Sequence, residues 1–261
     1  MTRPRVRLGR ATGFAPSPRD SRVSNIIINL CVSAALTLVA LPSLFGDQGA
    51  PLPLNGTAGA EILAQVERAN AVREGQLHSY ESMRQYTVLE PGHAPDADLV
   101  VSMQFIAPSI KTFGTPSEQG IGWIHKRVFR GLMRAEQDAA VGKEKAESAI
   151  VPANYDARLV GEELFQDREC YVLTLQPKRK SKYLLTGRIW IDKADLAIAR
   201  VEGDPVKSPS FWVERAHVVR EYQRIGTFWL PLRDQTECRI RLAGHYLLSI
   251  RYYDYRVTAR G

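Results

Sequence analysis

From Tyr155 to Val257 the chain is one strand-like run after another, rich in β-branched and aromatic residues and broken by turn residues. The runs are Tyr155–Leu164, Cys170–Gln176, two arms around Asp192-Lys193-Ala194-Asp195, Phe211–Tyr222, Thr227–Leu232, Gln235–Leu242 and Tyr246–Val257. Gly226 and Gly244 mark two of the turns, and Gln166-Asp167-Arg168-Glu169 marks another. Turns this close together join antiparallel neighbours. The stretch Thr186–Gly203 is the clearest piece. Its first arm alternates Ile189 and Ile191 against Arg188, Trp190 and Asp192, and its second alternates Ala197, Ala199 and Val201 against Ile198, Arg200 and Glu202. Trp190 falls among charged residues, so its face either lines a cavity or meets solvent with one large side chain on it.

Upstream, Ser79–Leu89, Leu99–Ala107 and Ser109–Thr115 read as three more strands, and Ile121–Ile124 as a short further one. Pro91-Gly92 and Pro108 supply the breaks. Roughly ten strands in one meander predict an α+β, mainly β fold: a single antiparallel sheet, strongly curved or partly closed, with helices packed on it. Two segments carry a helical period. Thr57 can cap a helix whose narrow stripe is Ile62, Val66 and Ala69, widened by Leu63 and ending near Gly75; so narrow a stripe suits a helix lying against a sheet. From His125 to Ile150, Val128, Leu132, Ala135 and Ala139 recur at helical spacing beside Phe129 and Met133, and Pro152 ends the segment.

The first residues have another character. Residues 1–24 hold six arginines against Asp20 alone, so most of the formal charge of +7 sits there and the basic pI is no argument for nucleic-acid binding. An apolar run, Ile26–Leu41, follows and is stopped by Pro42, which is how a secretory signal reads. Residues 1–46 are therefore expected to be a signal peptide or an N-terminal membrane anchor, with cleavage and a periplasmic product favoured. Residues 47–59, rich in glycine and proline, are a linker, and 60–261 form the folded domain. Cys31 is no lipoprotein cysteine, since Ile28-Asn29-Leu30 lacks small residues. Cys170 and Cys238 remain; in an oxidising compartment a bridge between them is open, as are two separately buried thiols.

Motifs of chemistry are missing from the pattern. His78, His93, His125, His217 and His245 lie far apart, and no serine stands in a nucleophile-elbow context. No phosphate loop is present, and Asp192 and Asp195 bracket a turn. Lys178-Arg179-Lys180-Ser181-Lys182 reads as a solvated loop before it reads as a contact for lipid headgroups. The aromatic pairs Phe211-Trp212, Phe228-Trp229 and Tyr252-Tyr253 place rings on both faces of their strands, which suits a sheet covered on both sides or a concave sheet holding an acyl chain.

This order of parts resembles the periplasmic lipoprotein-carrier (LolA-like) proteins and the related envelope-stress regulators (RseB/MucB-like), over roughly residues 60–257. The residues that carry the resemblance are Ile62-Leu63-Ala64-Gln65-Val66, Ser79-Tyr80, and above all Gly187–Asp192 followed by Ala199–Glu202, with Trp190, Asp192 and Arg200 near the positions of the family's strand-turn-strand pattern. The long arginine-rich leader departs from the family's compact signal. The resemblance implies an incomplete antiparallel β-barrel with helices over its concave side, no cofactor and no catalysis. Its implied function is outer-membrane lipoprotein sorting, with a lipid acyl chain or a lipoprotein as ligand. The expected wall is Val128, Phe129, Leu132 and Met133 against Trp190 and Trp212. The alternative is a regulatory module that docks an inner- or outer-membrane protein. A hydrolase assembled from distant acids and histidines ranks last, and needs a histidine within hydrogen-bond range of a carboxylate in a cleft.

Overall fold

The computed structural model describes residues 56–89, 97–114, 133, 137, 143–208, 211, 213–242 and 244–261. The predicted leader and linker up to residue 55, the short strand at 121–124, and Val128, Phe129, Leu132 and Trp212 lie outside the described residues.

Helix α1 (Gly56–Gln76) runs directly into β1 (Leu77–Leu89), which pairs with β2 (Ala97–Ile106), and β2 with β3 (Ile110–Phe113). A short helix α2 (Lys143–Ser148) precedes the meander β4 (Tyr155–Phe165), β5 (Arg168–Pro177), β6 (Leu185–Asp192), β7 (Ala197–Pro205), β8 (Val213–Ile225), β9 (Phe228–Ile240) and β10 (Gly244–Ala259). All ten strands form one antiparallel sheet in the order β3-β2-β1-β10-β9-β8-β7-β6-β5-β4. Strands β3 and β4 are its edges and do not pair, so the barrel stays open. Residues 115–154 join one edge to the other. The predicted mainly β, incomplete barrel is the observed fold.

Alternation decides which side is inside. On β1, Tyr80, Ser82, Arg84, Tyr86 and Val88 are buried and their neighbours are not. Register carries that face across the sheet: Tyr86 stands opposite Leu99 on one side and Ile250 on the other. On the far half, Ile62, Leu63 and Val66 of α1 are at most 1% exposed, packed on Tyr155, Leu173, Ile189, Ile191, Val201 and Tyr222 of five strands. Burying each such side chain contributes about 1.5–3 kcal/mol. The narrow stripe therefore lies against the sheet as predicted. Met133 is buried on the other half, in a cluster with Tyr86, Val101, Ile240, Ile250 and Tyr252. Met133 thus covers part of the same concave face.

Close approach fixes where α1 sits. A Cβ at Gly59 would come within 2.5 Å of the Ala157 carbonyl oxygen on β4. Gly59→Ala should gain about 1 kcal/mol of helix propensity yet lose more to the backbone clash, for a net destabilisation of about 1–3 kcal/mol. Chemical denaturation measures it, and a neutral or stabilising result would mean the helix can lift off β4.

One strand departs from expectation. Thr227–Leu232 and Gln235–Leu242 were predicted as two strands parted at Arg233-Asp234, but β9 runs through. Its partner register shifts between Glu221 and Tyr222, so Pro231 meets Tyr222 at a bulge, where a missing N–H is tolerated. The Pro231 carbonyl accepts from the Tyr255 hydroxyl at 2.7 Å.

Candidate functional site

The turn between β6 and β7 organises the region where the site lies. Asp192, 1% exposed, accepts from Arg168 at 2.5 and 2.9 Å and from the Asp195 N–H at 2.7 Å. Burial alone would raise the Asp192 carboxyl, but these donors hold it below the usual carboxylate range. Asp195 in turn accepts from Arg224 at 2.7 Å and from the Trp229 indole at 3.0 Å. Arg73, in the last turn of α1, donates to the carbonyls of Asp195 at 2.6 Å and Leu196 at 3.0 Å, and its side chain also reaches Asn70. Asp192 and its turn thus tie α1, β5, β8 and β9 together. Its role here is to hold the C-terminal end of α1 over the sheet.

Beneath that end is a cavity of about 420 Å³. Its floor is apolar: Leu77 and Tyr80 of β1, Phe105 of β2, Ile198 of β7, and Phe228 to Pro231 of β9. Strands β1, β2, β7, β8 and β9 all contribute, so the sheet curves around it. Tyr80 anchors the aromatic part, its ring centroid 5.1 Å from Phe105 and 5.7 Å from Tyr255. Around the apolar floor stand Arg73, Glu74, Lys111, Lys145 and Arg260. A volume of this size falls in the range of about 300–1,000 Å³ typical of small-molecule sites, which are mostly apolar with few placed polar groups.

The residues expected at the wall divide. Met133 packs on the concave face, in the cluster beside the cavity. Trp190 does not reach the cavity. Across the strands it faces Val172 and Arg200, and it packs with Cys170, Val172 and Ala199 on the opposite side of the sheet. There its indole donates to Glu163 at 2.8 Å, and the guanidinium groups of Arg188 and Arg200 lie 5.3 and 5.2 Å from its ring. Cys170 and Cys238 are both free and buried in different clusters. They sit on β5 and β9, four strand spacings apart in the sheet order, or about 19 Å along it, where a bridge needs Cα atoms within about 7 Å. Burial pushes the Cys170 thiol up to about 11 and the Cys238 thiol up to about 12, so neither is a thiolate nucleophile at neutral pH.

A histidine does meet a carboxylate in a surface hollow. His217 Nδ1 lies 2.7 Å from Asp204 Oδ1, with Ser208 lining the same hollow. Its Nε2, however, faces Glu202 at 3.7 Å, and Ser208 donates to the Val213 carbonyl. Both ring nitrogens face carboxylates, and the Ser208 hydroxyl is turned to a backbone carbonyl. Among the described residues no group of three or more His, Cys, Asp or Glu could hold a metal ion.

Sequence reasoning missed the cavity's floor, apart from the Phe228-Trp229 pair. The available signal was cross-strand: Tyr80 pairs directly with Phe105.

No family model and no curated protein matches the sequence. Solved structures do. An outer membrane lipoprotein-sorting protein domain from Vibrio parahaemolyticus is 11% identical with a TM-score of 0.45, over 78% of this chain and 94% of that one. A LolA superfamily protein from Nitrosomonas europaea is 14% identical with a TM-score of 0.37, over 78% and 95%. The Pseudomonas aeruginosa MucA/MucB complex is 9% identical with a TM-score of 0.23, over 78% and 99%. The resemblance read from the sequence names the same group of proteins.

Proposed function

We propose that the chain is a non-enzymatic binding protein of the periplasm that carries an acyl chain, of a lipid or a lipoprotein, in the cavity under α1. The observation behind this reading is the apolar floor itself, drawn from distant strands and capped by a helix that the β6–β7 turn holds in place. Binding of this kind needs no nucleophile. Each buried methylene contributes about 0.8 kcal/mol, so about a dozen would suffice for a reversible carrier. The arginine-rich start and the apolar run after it support export.

Expression of the whole chain in a bacterial host, gentle purification and mass spectrometry of intact and extracted material test the reading. An acyl lipid or acylated peptide is expected at near one per protein, on a chain that begins after the apolar run. Protein recovered empty, still holding its leader and bound to one inner-membrane protein, would favour the regulatory module instead.

A further inference from the structure

The cavity is apolar along its floor and cationic at its mouth. Four cations line it, Arg73, Lys111, Lys145 and Arg260, against Glu74 as the one acid among the described lining residues. They are not a run in the sequence. Arg73 comes from the last turn of α1, Lys111 from β3, Lys145 from α2, and Arg260 from just beyond β10. Cations at a helix C-terminus are ordinary, because they face its partial negative charge, and this accounts for Arg73. Arg260 is held beside the same helix end, its backbone N–H donating to the Gln76 carbonyl at 2.7 Å. The helix charge does not account for Lys145, half-buried on a different helix.

We infer that the ligand is an acyl amphiphile with an anionic head, a phosphate or a carboxylate, its chain over Tyr80, Phe105 and Phe228 and its head among the four cations. The inference rests on the acyl-binding reading above and gives that ligand a charge. Arg73 is already committed to the β6–β7 turn, so it acts on the head through its field. Arg260 is exposed and Lys145 half-buried at the rim, and these are placed to contact the head directly. Burial lowers the Lys145 ammonium below the usual lysine range, and Glu74 only partly opposes it. An anionic head at the rim would stabilise that ammonium.

The test uses the whole exported chain, stripped of lipid, in equilibrium titrations with dodecyl phosphate, dodecanoate, dodecyl maltoside and inorganic phosphate, each below its micellar concentration. Dodecyl phosphate or dodecanoate is expected to bind about 10-fold tighter than dodecyl maltoside at low salt, with the advantage shrinking as salt is raised. Lys145→Gln with Arg260→Gln should remove about that 10-fold and leave the maltoside within about 2-fold. Lys145→Arg with Arg260→Lys should restore the preference. Equal affinity for the three twelve-carbon probes would overturn the inference and leave the acyl carrier standing. Inorganic phosphate binding as tightly as dodecyl phosphate would also overturn it, since the chain would then contribute nothing. Binding of none of them would remove both the carrier reading and this one. Circular dichroism of each variant separates lost binding from lost fold.

Discussion

Asp192→Ala is expected to destabilise the protein by about 3–5 kcal/mol, the cost of removing one partner from a buried ion pair. The residue carries a larger share than one pair suggests. Its carboxylate receives two N–H groups of Arg168 and the backbone N–H of Asp195 while 1% exposed. Without it the turn loses the geometry that lets Asp195 take Arg224 and Trp229, and lets Arg73 reach two carbonyls. Urea denaturation at neutral pH measures the loss, and a change below about 1 kcal/mol would show that the turn holds itself. The pH dependence has a definite sign. Because the folded carboxyl lies below its ordinary value, near 4 in the unfolded chain, its contribution is whole above that pH and is lost as pH falls through the folded value. The wild-type protein should therefore lose stability on acidification more steeply than the variant. Parallel acid limbs would mean that Asp192 is not the titrating group.

Ala71→Trp should all but abolish acyl co-purification while the protein still folds. Ala71 lines the cavity from α1 and is only half-buried, so an indole there enters the hollow without displacing core side chains. Filling a site of about 420 Å³ with a ring of this size leaves little room for an acyl chain, and the added apolar burial offsets the small loss of helix propensity. Ala60→Trp, on an exposed face of the same helix, is the control and should keep its lipid. Extracted lipid per mole of protein, read by mass spectrometry, decides between them. Full occupancy in Ala71→Trp would place the ligand elsewhere.

Local features were legible and assembled ones were not. The helix over Ile62 and Val66 and the hairpin around Asp192–Asp195 follow from spacing and turn chemistry within a few residues. Arg233 and Asp234 were left between two strands, yet both pair with β8 on one side and β10 on the other, partners that neither run contains. That Trp190 packs on the face of β6 away from the cavity was not legible, because both faces of β6 bury side chains, which removes the contrast that tells inside from outside. The separation of Cys170 from Cys238 depends on the order of strands, which neither run contains. The cavity is the extreme case: its floor joins Tyr80 and Phe105 to Phe228 and Leu230, brought together only because β10 lies between β1 and β9.

That placement of β10 sets a timetable for the molecule. The strand made after all the others sits in the interior of the sheet, with β1 to β3 on one side and β4 to β9 on the other. While residues 244–259 are still being synthesised, the two halves have no hydrogen bonds to share through them, and the core around Ile250 and Tyr252 has no centre. So many pairings between distant residues also make folding slow. A chain built this way keeps its sheet in two unjoined halves until this strand arrives.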